Sequence, residues 1–338
     1  MDPRQAGFGR TSRAARGAPH PRHQAGRGHR KADPLTGDPA VRLPAGSAVA
    51  LATPVDKTGR LDRDGLARLV RHVLAGGVKM VCPVGSTGEG ARLSTRQRAE
   101  VTAEVRALVP REIPIVSGVA STSFDGTLAG LSQLHDAGAT AALVSPPSYF
   151  PMTEGEVGRF YERLAAAPLP IVLYNIPQFS SVALAPPVVA TLAAHPAVIG
   201  IKDSSRDMEY LLAVLDATEN AANFRVFTGT DTLLVASLVS GADGAIAASA
   251  NVCPAFGGQI CEAVAEGDLD RALSVQRRLT AVVRACRRGT PPAGWKAALE
   301  IIGICAGNLV EPGSRLSAAD HAALAGELAA LGLPETGR

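Results

Sequence analysis

The sequence predicts an α/β protein, a (β/α)₈ barrel with a C-terminal helical extension. Three observations lead there. From about Gly46 onward short apolar runs alternate with amphipathic segments. The runs are continuously apolar, as parallel strands covered by helices on both faces must be. Eight of them fall within about 210 residues, which fits a closed barrel better than an open doubly wound sheet, the other arrangement this pattern allows.

The strand runs are, in order, Ala48 to Pro54, Val78 to Val84, Ile113 to Val119, Ala139 to Pro146, Ile171 to Pro177, Val198 to Ser204, Phe224 to Thr230 and Gly244 to Ala250. Capping residues open helix-like stretches between them: Asp62, Ser94, Thr153 and Asp207. Ser94 has Gln97 three residues on, the spacing of a capping box. After the eighth run, three more helical segments follow, roughly Asp268 to Arg288, Trp295 to Ile304 and Ser317 to Leu331. The expected organisation is a disordered basic extension over 1–45, a barrel over 46–266 and a helical subdomain over 267–338.

The 338 residues are 46% apolar, enough for a sizeable core, and the formal net charge is +3. That charge is unevenly spread. Between Met1 and Ala32 seven arginines and Lys31 oppose Asp2 alone, a balance of +7, which leaves −4 for the rest. A mildly acidic body offers no footprint for nucleic acid. No run of about 18 uncharged apolar residues is present, and the Arg-rich start lacks the apolar stretch of a secretory signal. Neither a membrane nor a nucleic acid is therefore expected as a partner, and the cytoplasm is the expected location. The five cysteines, Cys82, Cys253, Cys261, Cys286 and Cys305, contain no C-x-x-C pair and read as reduced, mostly buried thiols.

In a barrel of this kind chemistry sits where the strands end, so polar groups there are the candidates. Lys202 follows Val198-Ile199-Gly200-Ile201 on a strand buried on both faces. Desolvation there favours the neutral amine, the form that attacks a carbonyl. The chain holds only five lysines among 34 basic residues, and an arginine could not form an imine. The competing reading is an ion pair between Lys202 and Asp203 at a solvated strand end. Tyr174, one strand away, could pass a proton to or from an alkoxide. The loop Gly85-Ser86-Thr87-Gly88-Glu89-Gly90 offers two hydroxyls and open backbone N–H groups, a cradle for a small carboxylate. It matches neither a Walker loop nor the dinucleotide fingerprint. The seven histidines fall in the basic segment (His20, His23, His29) or on helices and their ends (His72, His135, His195, His321), without the strand-end cluster a metal-dependent aldolase would use.

GSTGE after the second strand, YNIP on the fifth and IGIKDSS on the sixth together resemble the dihydrodipicolinate synthase and N-acetylneuraminate lyase family, over roughly Gly46 to Leu333. The resemblance implies a (β/α)₈ barrel assembled as a homotetramer, a dimer of dimers, that binds pyruvate or another 2-keto acid as an imine and needs no separate cofactor. It implies Lys202 as the imine-forming residue, Tyr174 as proton shuttle, and Ser86 and Thr87, next to Gly85, as the pair that holds the carboxylate and relays protons. Gly229 and Ile246 match pocket-lining positions on the seventh and eighth strands. Asp231 matches an aspartate that binds a substrate hydroxyl in the neuraminate lyases, whose adjacent glutamate is Thr232 here.

Two departures bear on substrate. The lysine-pathway synthases carry an arginine for the carboxylate of aspartate semialdehyde where this chain has Phe179, and a phenyl ring cannot replace a guanidinium. In Ser145-Pro146-Pro147-Ser148-Tyr149-Phe150, an ungapped count puts Ser148 at the position of the family's neighbour-subunit tyrosine, with Tyr149 beside it as the residue expected to take that part. The pattern is more similar to the neuraminate lyases and 2-keto-3-deoxy sugar acid aldolases. The expected reaction is cleavage or formation of a 2-keto acid to or from pyruvate and an aldehyde. Condensation of pyruvate with aspartate semialdehyde, dehydration through the same imine, and a non-catalytic 2-keto acid-binding barrel are the alternatives.

Overall fold

The computed structural model describes residues 41–333. Of the expected extension over 1–45, residues 1–40 lie outside the described part. The remainder already belongs to the body: Leu43 is 1% exposed among the barrel's interior side chains, and its carbonyl accepts a hydrogen bond from Arg225 Nε.

Eight parallel strands form the sheet: β1 (Gly46–Ala50), β2 (Val81–Cys82), β3 (Val116–Val119), β4 (Ala141–Val144), β5 (Ile171–Asn175), β6 (Val198–Asp203), β7 (Arg225–Thr228) and β8 (Gly244–Ala247). Their order runs β2-β1-β8-β7-β6-β5-β4-β3. A parallel bridge between Val81 and Ile115, with hydrogen bonds from Val81 N to Pro114 O and from Gly118 N to Pro83 O, joins the ends into a barrel. The second strand is shorter than its apolar run because Pro83 has no N–H to donate and Val84 turns to φ +52°, outside strand geometry.

The helices around the barrel are α1 (Arg63–Ala75), α2 (Thr95–Leu108), α3 (Phe124–Asp136), α4 (Glu154–Leu164), α5 (Pro177–Ser180), α6 (Pro186–Ala193), α7 (Met208–Ala217), α8 (Leu234–Val239) and α9 (Pro254–Ala265). The four expected caps are all present. Asp62 and Asp207 accept from backbone N–H groups of the first turn, and Ser94 and Thr153 each close a complete capping box. These caps satisfy orphan helix donors at the strand-to-helix turns, which holds the loops around the site in place.

Inside the barrel Ala48, Met80, Cys82, Leu143, Val172, Phe227 and Ile246 fill the lumen up to Tyr174 and Ile176. Three further helices follow: α10 (Leu269–Cys286), α11 (Ala293–Ile301) and α12 (Ala318–Ala330). Leu279, Val283, Ala298 and Leu324 from these helices share one apolar cluster with Leu66, Val70 and Ile260 of α1 and α9. The C-terminal helices are thus packed into the barrel's own outer core. Among the described residues no helix is long and apolar enough to cross a membrane.

Candidate active site

The site is set by strand alternation. On β5 and β6, Tyr174 is the register partner of Lys202, and Asn175 that of Asp203. Successive side chains point to opposite faces, so Tyr174 and Lys202 share the barrel's interior while Asn175 and Asp203 face outward. Lys202 is only 5% exposed, and its Nζ lies 4.7 Å from the Tyr174 ring centroid. Asp203 is occupied elsewhere. Asn175 Nδ2 donates to its Oδ1 at 2.7 Å, Ser205 N to the same oxygen at 3.0 Å and Ser205 Oγ to Oδ2 at 2.9 Å. Burial raises the Asp203 carboxyl above its ordinary range against these donors. A Lys202–Asp203 ion pair is not among the salt bridges of the described residues, which removes the competing reading of the lysine.

Gly229 adjoins this pair from β7. A Cβ there would stand 2.7 Å from Lys202 Cε and closer still to Ser204 Oγ, so only glycine leaves the lysine its place. The Gly229 N–H donates to Asp203 O at 2.6 Å. Cys82 lies on the lumen side of the lysine, and burial pushes its thiol up to about 12, partly countered by the charge of Lys202.

The loop after β2 brings its hydroxyls over the same mouth. Ser86 Oγ and Tyr174 OH share a hydrogen bond of 3.3 Å. The loop is folded on itself, with Gly90 N donating to Gly85 O and Glu89 N to Ser86 O. A Cβ at Gly90 would overlap the Val84 carbonyl, and both Val84 and Glu89 hold positive φ, +52° and +57°. Two non-glycine residues in this region of backbone space need outside support, because each costs about 1–3 kcal/mol.

That support comes from a residue sequence reasoning did not single out. Lys296 of α11 is wholly buried, and its Nζ donates to Glu89 Oε2 at 2.6 Å. Arg92 and Val310 N donate to Glu89 Oε1 at 2.8 and 3.1 Å. Burial pulls the Lys296 ammonium below its ordinary range and the Glu89 charge opposes that shift. The C-terminal helices therefore lock the Gly85–Gly90 loop through a buried ion pair. A lysine in a helical segment ordinarily reads as solvent-facing, and nothing local in the sequence links positions 207 residues apart.

A cavity of about 360 Å³ opens at Lys202 and includes Ser86, Thr87, Tyr174, Gly229, Asp231 and Ile246 in its wall. Phe179, on the short α5, is 55% exposed and also lines it. Asp231 is buried, with Oδ1 accepting from Ser249 N at 2.9 Å. The C-terminal segment contributes Arg287, Arg288 and Trp295 to the wall. A second cavity of about 310 Å³ adjoins across Tyr174 and holds Gly85, Ser121, Ser145 and Ser148.

Tyr149 lines neither cavity. It is 78% exposed, edge-on against Phe150 at 4.9 Å, and its neighbour Ser148 takes the position at the wall. The loop after β4 thus turns Tyr149 away from its own barrel, the direction that the part of a neighbour-subunit tyrosine requires. His72, His135 and His321 lie on α1, α3 and α12 and His195 beyond α6, while His20, His23 and His29 are outside the described residues. No group of three or more His, Cys, Asp or Glu among the described residues is placed to hold a metal ion.

A buried strand lysine in contact with a tyrosine at the mouth of a (β/α)₈ barrel defines a carbon–carbon lyase of the imine-forming, class I aldolase type. The chain belongs to the dihydrodipicolinate synthetase family, whose model matches residues 43–331. It is 34% identical to a 4-hydroxy-tetrahydrodipicolinate synthase of Hyphomonas neptunium over 289 residues, covering 85% of this chain and 98% of that protein. Among solved structures it resembles the dihydrodipicolinate synthase of Thermotoga maritima, with TM-score 0.83 and 29% identity over 86% of this chain and 100% of that one. It also resembles YagE, a prophage protein of the same family from E. coli K12 solved in complex with pyruvate, with TM-score 0.82, 28% identity, and 86% and 99% coverage.

Proposed function

We propose that the protein cleaves or forms a 2-keto acid, of the 2-keto-3-deoxy sugar acid type, through an imine on Lys202. The observation that carries this reading is the contact between buried Lys202 and Tyr174, with Tyr174 hydrogen-bonded to Ser86. The Lys202 amine adds to the C2 carbonyl and water leaves. The substrate carboxylate rests on the hydroxyls and N–H groups of Gly85, Ser86 and Thr87. Tyr174 takes the proton of the C4 hydroxyl as the C3–C4 bond breaks, the electron pair moves into the imine as an enamine, and an aldehyde departs. Protonation at C3, relayed through Ser86 and Tyr174, and hydrolysis of the imine then release pyruvate. Gly229 and Ile246 shape the wall, and Asp231 accepts a hydroxyl of the sugar portion. The imine is covalent with the substrate, so the scheme calls on no separate cofactor.

The partners in this reading are a small 2-keto acid and an aldehyde, not a nucleic acid or a membrane. The location is the cytoplasm and the assembly a homotetramer built as a dimer of dimers. The exposed Tyr149–Phe150 pair beside the second cavity supports such an assembly, where Tyr149 would meet a neighbouring copy.

A second reading, condensation of pyruvate with aspartate semialdehyde, is favoured by the synthases among its relatives. At the position where those synthases hold the aldehyde's carboxylate with a guanidinium the wall has Phe179, which weighs against that mode of binding. The deciding experiment is a pyruvate-release assay on 2-keto-3-deoxy sugar acids beside a condensation assay with aspartate semialdehyde. Release of pyruvate from a sugar acid at a higher kcat/KM supports the aldolase. Turnover with the semialdehyde alone overturns it, and binding of 2-keto acids without any turnover points to a non-catalytic barrel.

A further inference from the structure

The cavity wall carries a charge pattern that the imine chemistry leaves unused. Besides Lys202, three guanidinium residues line it, Arg206 after β6 and Arg287 and Arg288 beyond α10, against one carboxylate, Asp231. One oxygen of Asp231 is already held by Ser249 N. Arg288 is anchored to Glu327 of α12 through Nη2, while its Nε is buried without a hydrogen-bond partner. The Arg206 and Arg287 side chains make no ion pair or hydrogen bond among the described residues, so their charge at the cavity is not met by a protein group.

Arg206 is also held at φ +69°, a conformation in which glycine would be free of strain. The chain thus keeps a long cationic side chain at a backbone position that disfavours it, next to the lysine's own strand. The loop Gly85–Gly90 already provides for the carboxylate of the keto acid, so these guanidinium groups stand available for a second anion. Planar forks of this kind grip carboxylate and phosphate groups in two-point hydrogen bonds.

We propose that Arg206, Arg287 and Arg288 form an anion subsite for the far end of the substrate, so that the aldehyde released or consumed carries a terminal phosphate or carboxylate. This rests on the aldolase reading above and narrows it to phosphorylated or dicarboxylic 2-keto acids. In the condensation direction with pyruvate, kcat/KM is compared for glyceraldehyde, glyceraldehyde 3-phosphate and succinic semialdehyde, with parallel borohydride trapping of pyruvate. An anionic aldehyde should have a KM about tenfold or more below that of glyceraldehyde, the phosphate or the carboxylate arm identifying which anion fits. Arg206→Gly removes the cation while relieving the backbone, so its effect cannot be laid to misfolding; with Arg287→Gln it should erase that preference while the KM for glyceraldehyde changes little. Equal KM values for all three aldehydes, with pyruvate trapped, overturn the subsite and leave the aldolase standing. An equal rise in KM for pyruvate and for every aldehyde in the variants also overturns it, since the arginines would then only steer acids towards the mouth. Failure to trap pyruvate on the folded protein removes both readings.

Discussion

Tyr174 and Lys202 are register partners on adjacent parallel strands, with Lys202 Nζ 4.7 Å from the tyrosine ring and the tyrosine hydroxyl 3.3 Å from Ser86 Oγ. In the proposed scheme the strand pairing itself sets the nucleophile beside the proton carrier. Their roles separate experimentally. Tyr174→Phe keeps the ring against the lysine and removes only the hydroxyl, so pyruvate trapping on Lys202 should persist while kcat for carbon–carbon cleavage falls by about 10²–10⁴. Equal turnover by the variant would show that the proton travels another way.

Gly229→Ala tests whether the lysine's position matters. The added methyl would stand 2.7 Å from Lys202 Cε, forcing the side chain aside. A misplacement of about 1 Å can cost about 10²-fold, so the rate of imine formation should fall by that order while the far-ultraviolet circular dichroism stays native. An unchanged trapping rate would mean that the lysine has room the packing does not show.

The Glu89–Lys296 pair is fully buried at both ends, and Glu89 belongs to the loop that carries Ser86 and Thr87. Lys296→Met leaves Glu89 Oε2 facing an apolar group, with Arg92 and Val310 N still on Oε1, and should cost about 3 kcal/mol in denaturant unfolding. Glu89→Gln added to Lys296→Met should recover part of that loss, because no charged oxygen then faces the apolar group, although Arg92 gives up its ion pair. A single variant as stable as wild type would show that water reaches Glu89.

Cys82 reports the electrostatics beneath the lysine. Burial lifts its thiol from an ordinary 9.0 to about 12, with Lys202 pulling weakly the other way. The folded state thus favours the protonated thiol, and this contribution to stability is complete below about pH 9 and is lost as the pH rises towards about 12. Alkylation of native Cys82 at about pH 9 should accordingly be about a thousandfold slower than in the unfolded chain, read by peptide mapping. Rapid labelling would place the thiol in contact with solvent.

Much of this site was legible because strands place alternate residues on one face and helices announce their starts. Lys202 stood out as a cation at the end of an apolar run, Tyr174 through its place on the neighbouring strand, and Ser94 with Gln97 gave a capping box the structure reproduces. The second strand was overrun at both ends, because an apolar run does not reveal that Val84 turns left-handed after Pro83. Lys296 and the guanidinium wall were illegible for another reason. Lys296, Arg287 and Arg288 come from the C-terminal segment and meet the barrel only through tertiary packing, and Arg206 sits on a loop after β6, so none of them leaves a trace in local periodicity. Tyr149 was given the part of a neighbour-subunit tyrosine from its place beside Ser148, but loop direction, which sequence does not show, decides where its ring goes, and the ring faces outward from its own barrel.

The most direct test of the account is reduction of the protein with borohydride in the presence of pyruvate, followed by intact mass and peptide mapping. An adduct confined to Lys202 and absent from Lys202→Ala is the predicted result. A folded protein with no adduct, or one carrying it on Lys79 or Lys296 instead, would contradict the assignment of the imine to β6.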